Sequence, residues 1–257
     1  VSALPAPPPT PDLIAFTTQT GRLPRLGDAV APWRYRGWLL WYVIEIHARH
    51  PDVPDRWGYY FRTREAGRLL DEPIPQIRFL DGPDHEAMKQ LDGAVSIIEH
   101  RYGSFESFRR LVDWLAFALA VSDEDRGMDH DTEEKLYRQF NVGPVVVAPY
   151  DHLGTMLSER KSNKWNNTGF YPTPHNVVEC MVQMTFGDGD HRAKTVCDPC
   201  IGTGRMLLHA SNYSLRLHGQ DIDPLVLSIC KINGALYAPW MSFSFPKEVF
   251  DAVLEQD

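Results

Sequence analysis

The pattern of apolar and polar positions divides the chain into stretches of different character. Over residues 27–50 aromatic and aliphatic side chains occupy nearly every position, which predicts a helix buried on several sides. From Asp84 the pattern turns amphipathic. Met88, Leu91, Val95 and Ile98 recur at helical spacing, Asp84 is placed to cap the N-terminus and Gly103 to end the helix. Ser104 can cap a second helix carrying Phe105, Phe108, Leu111, Val112 and Leu115 on one side, so a helical hairpin is expected. Further on, a short helix is expected over residues 133–140, then an apolar run at 145–147 and a helix over 151–160. The polar stretch 161–168, rich in Asn and Lys, reads as a loop.

From Pro174 the order changes. A helix to Phe186 leads through a Gly-Asp turn to a strand over 194–197, a glycine loop, a helix over 205–210, a strand over 215–220 and a helix over 224–236. Strands alternating with helices through short connections predict a parallel, doubly wound sheet.

Composition narrows the class. With 43% hydrophobic and 23% charged residues the chain reads as a globular protein rather than a disordered one. Pro5, Pro7, Pro8, Pro9 and Pro11 mark an extended tail over residues 1–26, which lacks the basic-then-apolar order of a signal peptide. The densest apolar stretch, residues 38–46, has about half the length a membrane span needs, so no membrane partner is expected. Trp33, Trp38 and Trp41 are read as core rather than as a base-stacking platform.

Four cysteines, Cys180, Cys197, Cys200 and Cys230, lack the spacing of a disulfide framework, which suits a reducing, cytoplasmic setting. The net charge of -8 argues against a surface that attracts phosphate backbones everywhere, and leaves room for a local basic groove or for a partner subunit that contacts DNA. Asp123, Glu124, Asp125, Asp129 and Asp131 read as a solvated linker.

The chemistry concentrates where the first strand ends. There Asp198-Pro199-Cys200-Ile201-Gly202-Thr203-Gly204 runs straight into a helix, and its glycines let backbone approach a ligand at the carboxyl end of a strand. The second strand ends in Asp221-Ile222-Asp223-Pro224, about 20 residues on, where an acid meets ribose hydroxyls in nucleoside-binding sheets. A dinucleotide would want a third glycine and free helix-terminal amides for its pyrophosphate. An aspartate at the strand end instead favours a cationic ligand bearing an amino group, and S-adenosylmethionine carries the ammonium, the sulfonium and the ribose diol together. Cys197 and Cys200 form a Cys-x-x-Cys pair, but two further ligands at comparable spacing are missing, so no metal site is expected. His191, His209 and His218 are separated by a strand or a helix and read as surface or packing residues.

In these motifs the chain resembles the adenine-N6 DNA methyltransferases, especially the modification subunits of restriction systems. The resemblance runs from Tyr150 to Tyr237. It implies that Phe170-Tyr171-Pro172-Thr173-Pro174, after Gly169, closes over the cofactor, with Tyr171 and Thr173 lining the methionine and adenosine side. It further implies that Asp198 receives the ammonium within a loop that includes Pro199, Cys200 and Thr203. Gly202 and Gly204 would give backbone clearance, Asp221 would hold the ribose hydroxyls and Ile222 would pack on the adenine. Residues 150–154 resemble the family's helical lead-in.

The family's catalytic tetrapeptide, Asp or Asn followed by two prolines and an aromatic residue, stacks a flipped base and accepts its amino protons. The sequence has no such tetrapeptide, and no catalytic residue is assigned. Its nearest echo is Val145-Val146-Val147-Ala148-Pro149-Tyr150, where Ala148 cannot accept those hydrogen bonds; Phe243-Ser244-Phe245-Pro246 is no closer. The expectation is therefore an α/β chain with a proline-rich tail (1–26), a mostly helical region (27–130) and a shortened Rossmann-like methyltransferase domain (131–257). It would bind S-adenosylmethionine and depend on another chain or a further segment for catalysis. A non-catalytic regulatory or interaction module that keeps the fold is the competing expectation.

Overall fold

The computed structural model describes residues 32–123, 127–161 and 170–251. The proline-rich tail and the polar stretch after residue 161 lie outside the described residues.

Where one helix is expected over 27–50, the chain forms a 3-10 turn (Pro32–Arg34) and then helix α1 (Leu40–Arg49). Gly37 separates the two with φ 80°, a conformation residues with a β-carbon avoid, and its amide donates to the Phe117 carbonyl. Helix α2 (Arg56–Ala66) follows, capped by Asp55, which accepts from the Gly58 amide at 2.8 Å, and ended by left-handed Gly67.

The hairpin comprises α3 (His85–Glu99) and α4 (Ser104–Ala118). Asp84 caps α3 by accepting from the Ala87 amide at 3.0 Å. Gly103 rather than Ser104 stands at the N-cap of α4, a shift of one residue. Helix α5 (His130–Gln139) starts ahead of expectation because Asp129 caps it, accepting from Thr132 N, so the end of the acidic stretch is helix rather than linker. The apolar run at 145–147 falls in a short helix, α6 (Gly143–Val147), with Pro144 in its first turn.

The remaining elements are α7 (His152–Lys161), α8 (His175–Thr185), β1 (Thr195–Asp198), α9 (Arg205–Ala210), β2 (Arg216–Gly219), α10 (Pro224–Tyr237), α11 (Pro239–Ser242) and a 3-10 turn (Lys247–Phe250). β1 and β2 pair in parallel with Thr195 opposite Arg216 and Asp198 opposite Gly219, joined through α9. Among the described residues these are the two strands, so the protein is α/β with a predominance of helix.

α10 explains how the strands and the N-terminal helices cohere. It packs against α4 and α11 and buries Val226, Ile229, Ile232, Ala235, Leu236 and Tyr237. One hydrophobic cluster then runs from Trp33 and Trp38 through α3, α4 and α10 to Phe250. Directional bonds cross it as well. Trp57 Nε1 donates to the Ala235 carbonyl at 3.0 Å, and the fully buried Arg56 guanidinium donates to the Ser211 and Tyr237 carbonyls with its carbon 4.4 Å from the Trp240 ring centre. Among the described residues no helix is long and apolar enough to cross a membrane.

Candidate functional site

The site begins at the carboxyl ends of the two parallel strands. The loop leaving β1 is stitched back to the end of β2: the Ile201 amide donates to the Gln220 carbonyl at 3.0 Å and the Gln220 amide to the Asp198 carbonyl at 3.1 Å. Asp198 turns the chain by accepting from the Cys200 amide through Oδ1 at 3.0 Å. Gly202 and Gly204 both have positive φ, 53° and 92°. At Gly204 glycine is required twice over, because a β-carbon there would also lie 2.7 Å from Cys230 Sγ.

The second carboxylate closes on the same loop. Asp221 Oδ2 accepts from the Gly202 amide at 3.0 Å and its Oδ1 from the Asp223 amide at 3.0 Å. A carboxylate has about four acceptor positions, so Asp198 and Asp221 each keep capacity for a cationic or hydroxyl donor beyond these amides. Both are partly exposed. Ile222, the residue after Asp221, is fully exposed, and Tyr171, the residue after Phe170, is 88% exposed. Pro199 and Cys200 are also at the surface.

The stretch from Phe170 to Pro174 lies against the loop. A β-carbon on Gly202 would sit 3.4 Å from the Phe170 ring, and the Thr173 carbonyl accepts from Arg205 Nη1 at 2.9 Å. The Thr173 side chain is exposed, and Pro174 takes the N-cap position of α8. Thr203 points the other way: it is buried, and its hydroxyl donates to Asp151 Oδ2 at 2.5 Å. Of the sequence-derived set, then, Phe170, Asp198, Gly202, Gly204 and Asp221 meet at one loop. Tyr171, Pro199, Cys200 and Ile222 are exposed, and Thr203 faces inward.

Beneath the loop lies a polar hub that sequence reasoning did not single out. Asp151 is fully buried and accepts from four donors: Gly154 N at 2.9 Å, Asn233 Nδ2 at 2.8 Å, Thr203 Oγ1, and Arg205 Nε at 2.8 Å. Arg205 continues to Thr173 O and to Thr155 Oγ1 at 3.2 Å. The sequence reading counts Asp151 as the first residue of a helix, whereas it stands just ahead of α7 and caps it by accepting from the Gly154 amide; that local position hides its distant partners from a one-dimensional reading.

Next to the hub is a histidine chain. His175 Nε2 accepts from the Asp151 amide at 3.4 Å, which leaves its Nδ1 to donate to His209 Nε2 at 2.9 Å. Burial, reinforced by the Arg205 charge, lowers His175 to about 3 and His209 to about 4. His209 is thus a buried packing residue, His191 bonds the Gly187 carbonyl and His218 is exposed.

Among the described residues no group of three His, Cys, Asp or Glu side chains could hold a metal ion. Ala148 and Pro149 end α6, and Tyr150 packs its ring 4.6 Å from His175. Phe243 and Phe245 are buried against α2 aromatics.

The two carboxylates, at the ends of adjacent strands, can accept from a cationic group or from hydroxyls. The sequence profile of the family described as N-6 DNA Methylase matches residues 150–238, the interval that supplies the loop, both carboxylates and the hub. No solved structure matches the chain.

Proposed function

We propose, because residues 150–238 match the family described as N-6 DNA Methylase, that the chain is of the adenine-N6 DNA methyltransferase family, binds S-adenosylmethionine and serves a DNA modification or restriction system. The observation that carries this reading is the pair of carboxylates at the ends of adjacent parallel strands, each bonded to an amide of its own turn or loop, with glycines between them. Asp198 would take the ammonium, Asp221 the ribose hydroxyls, and Ile222 and Tyr171 the adenine and methionine flanks. The cofactor, when bound, supplies an electrophilic methyl group on a sulfonium. The protein's own part is to orient it through fixed amides and to hold the glycine loop rigid.

The proposal includes a Rossmann-like domain over residues 131–257 following a helical region, a cytoplasmic setting, and DNA reached directly or through a partner subunit. It assigns no catalytic residue to this chain, so methyl transfer would depend on another chain or a further segment. The exposed apolar face of α8, with Val177, Met181 and Met184 in solvent, favours such a partner and equally supports the second reading, a non-catalytic interaction module that keeps the fold.

Calorimetric titration with S-adenosylmethionine and S-adenosylhomocysteine tests the cofactor reading. Asp198→Ala and Asp221→Ala are each expected to weaken binding ten-fold or more, since each removes a charge-assisted hydrogen bond on the order of 1.5–3 kcal/mol. Unchanged affinity in both variants would refute the assignment. Labelled-methyl transfer to duplex DNA, with and without a partner chain, separates the enzyme from the interaction module.

A further inference from the structure

Arg205 reaches three elements with one guanidinium. Nε holds Asp151 Oδ2 at 2.8 Å, Nη2 holds Thr155 Oγ1 at 3.2 Å on α7, and Nη1 holds the Thr173 carbonyl at 2.9 Å. Its carbon lies 5.6 Å from the Tyr150 ring centre, and its side chain is 8% exposed. The guanidinium is therefore fixed from behind by a buried carboxylate that is itself held by Gly154, Thr203 and Asn233. A planar fork fixed in this way presents Nη1 in one direction only.

What Nη1 meets is the backbone of the stretch that lies over the glycine loop. Thr173 is three residues from Phe170, whose ring covers Gly202, while Tyr171 between them is exposed. We infer that Arg205 is a positioning residue that latches residues 170–174 over the loop, and that the latch governs how long a ligand stays bound there. Every bond of the Arg205 guanidinium goes to a protein group. It acts through the Thr173 carbonyl, and Asp151 acts through Arg205. The retention half of this inference rests on the S-adenosylmethionine reading; the latch itself does not.

The test uses the full chain and two readouts. Chymotryptic cleavage after Phe170, followed by mass spectrometry, reports how often the ring leaves Gly202, because local opening must precede proteolysis. The dissociation rate of S-adenosylhomocysteine reports retention. In Arg205→Lys the charge facing Asp151 is kept while the fork is lost. Cleavage after Phe170 is expected to rise ten-fold or more and ligand dissociation to accelerate by a similar factor, with association changed less than three-fold. A merely structural role would instead raise cleavage at many sites together and lower the melting temperature in proportion.

If Arg205→Lys does not fold, Thr155→Val decides, since it removes one arm of the fork and leaves the buried ion pair in place. It is expected to raise cleavage after Phe170 at least three-fold. Wild-type cleavage and wild-type dissociation in the folded variants overturn the inference. Failure of the wild-type chain to bind S-adenosylhomocysteine overturns the cofactor reading and with it the retention half, while the cleavage comparison still decides the latch.

Discussion

Replacing Asp151 with alanine is expected to lower the free energy of unfolding by about 3–5 kcal/mol, the loss typical of removing one partner from a buried ion pair. The carboxylate is fully buried and is the acceptor for Arg205, Thr203, Asn233 and the Gly154 amide. Alanine leaves a guanidinium and three neutral donors facing one another in a medium where water cannot replace the missing oxygen atoms. Asparagine is no remedy, because each carboxylate oxygen receives two donors and the amide nitrogen would face a pair of them.

Thr203→Val, which removes a single hydroxyl from the hub, is expected to cost only about 1–2 kcal/mol. In Asp151→Ala/Arg205→Ala the stranded charge is gone, so the double variant should unfold at a higher urea concentration than additivity of the two single variants allows. Urea denaturation of the wild type, the three single variants and the double variant checks all of this. A loss below about 1 kcal/mol in Asp151→Ala would mean that water reaches the hub and that the loop is not anchored through it.

Much of the architecture was legible because the strongest periodic signals coincide with elements that bury one face. The α3–α4 hairpin is present, with α3 ending at Glu99 rather than at Gly103, and the helix after the glycine loop and both strands fall within a residue or two of expectation. The failures have local causes. A left-handed Gly37 interrupts an apolar stretch that would otherwise read as one helix. Helix α2 went unnoticed because its buried side mixes Arg56 and Thr63 with Trp57, Tyr59 and Tyr60, so no apolar stripe marks it.

At the site, the carboxylates and glycines were visible because their spacing along the chain is short and their chemistry is local. The Asp151–Arg205 hub was not, because its members are separated by tens of residues and each looks sufficient in place, Asp151 and Arg205 both reading as the first residue of a helix. Thr203 shows the same limit from the other side. It sits between the two loop glycines in sequence, yet its hydroxyl serves the core.

Acid should loosen this same region before it unfolds the remainder. His152 Nε2 accepts from the Asp84 amide at 3.2 Å, His175 Nε2 from the Asp151 amide and His209 Nε2 from His175 Nδ1. Backbone amides only donate, so the nitrogens facing them carry no proton in the folded state, and a proton added to any of the three Nε2 atoms would face another donor. Burial adds to this, outweighing the nearby Asp151 and Asp84 charges at His152, and lowers His152 to about 4 from an ordinary 6.5. His209 falls to about 4 and His175 to about 3.

The unfolded chain therefore binds more protons than the folded one at any pH between about 6.5 and these lowered values, and stability must fall as pH falls through that window. It is fully present above the unfolded value and is lost on the way down to pH 4 and below. For His152 alone the contribution at neutral pH is on the order of 3 kcal/mol. His175 and His209 share a hydrogen bond, so their contributions are not independent. Urea midpoints measured from pH 7.5 to pH 4.5 are expected to drop steadily below pH 6.5. His175→Gln should flatten the slope, because glutamine keeps an acceptor and a donor but does not titrate. A midpoint that stays constant down to pH 4.5 would show that these rings are solvated in the folded protein. Because His175 opens α8 directly after the latched stretch and His209 lies on α9 behind the glycine loop, the early acid transition should also release residues 170–174. Cleavage after Phe170 ought to accelerate below pH 6 ahead of global unfolding.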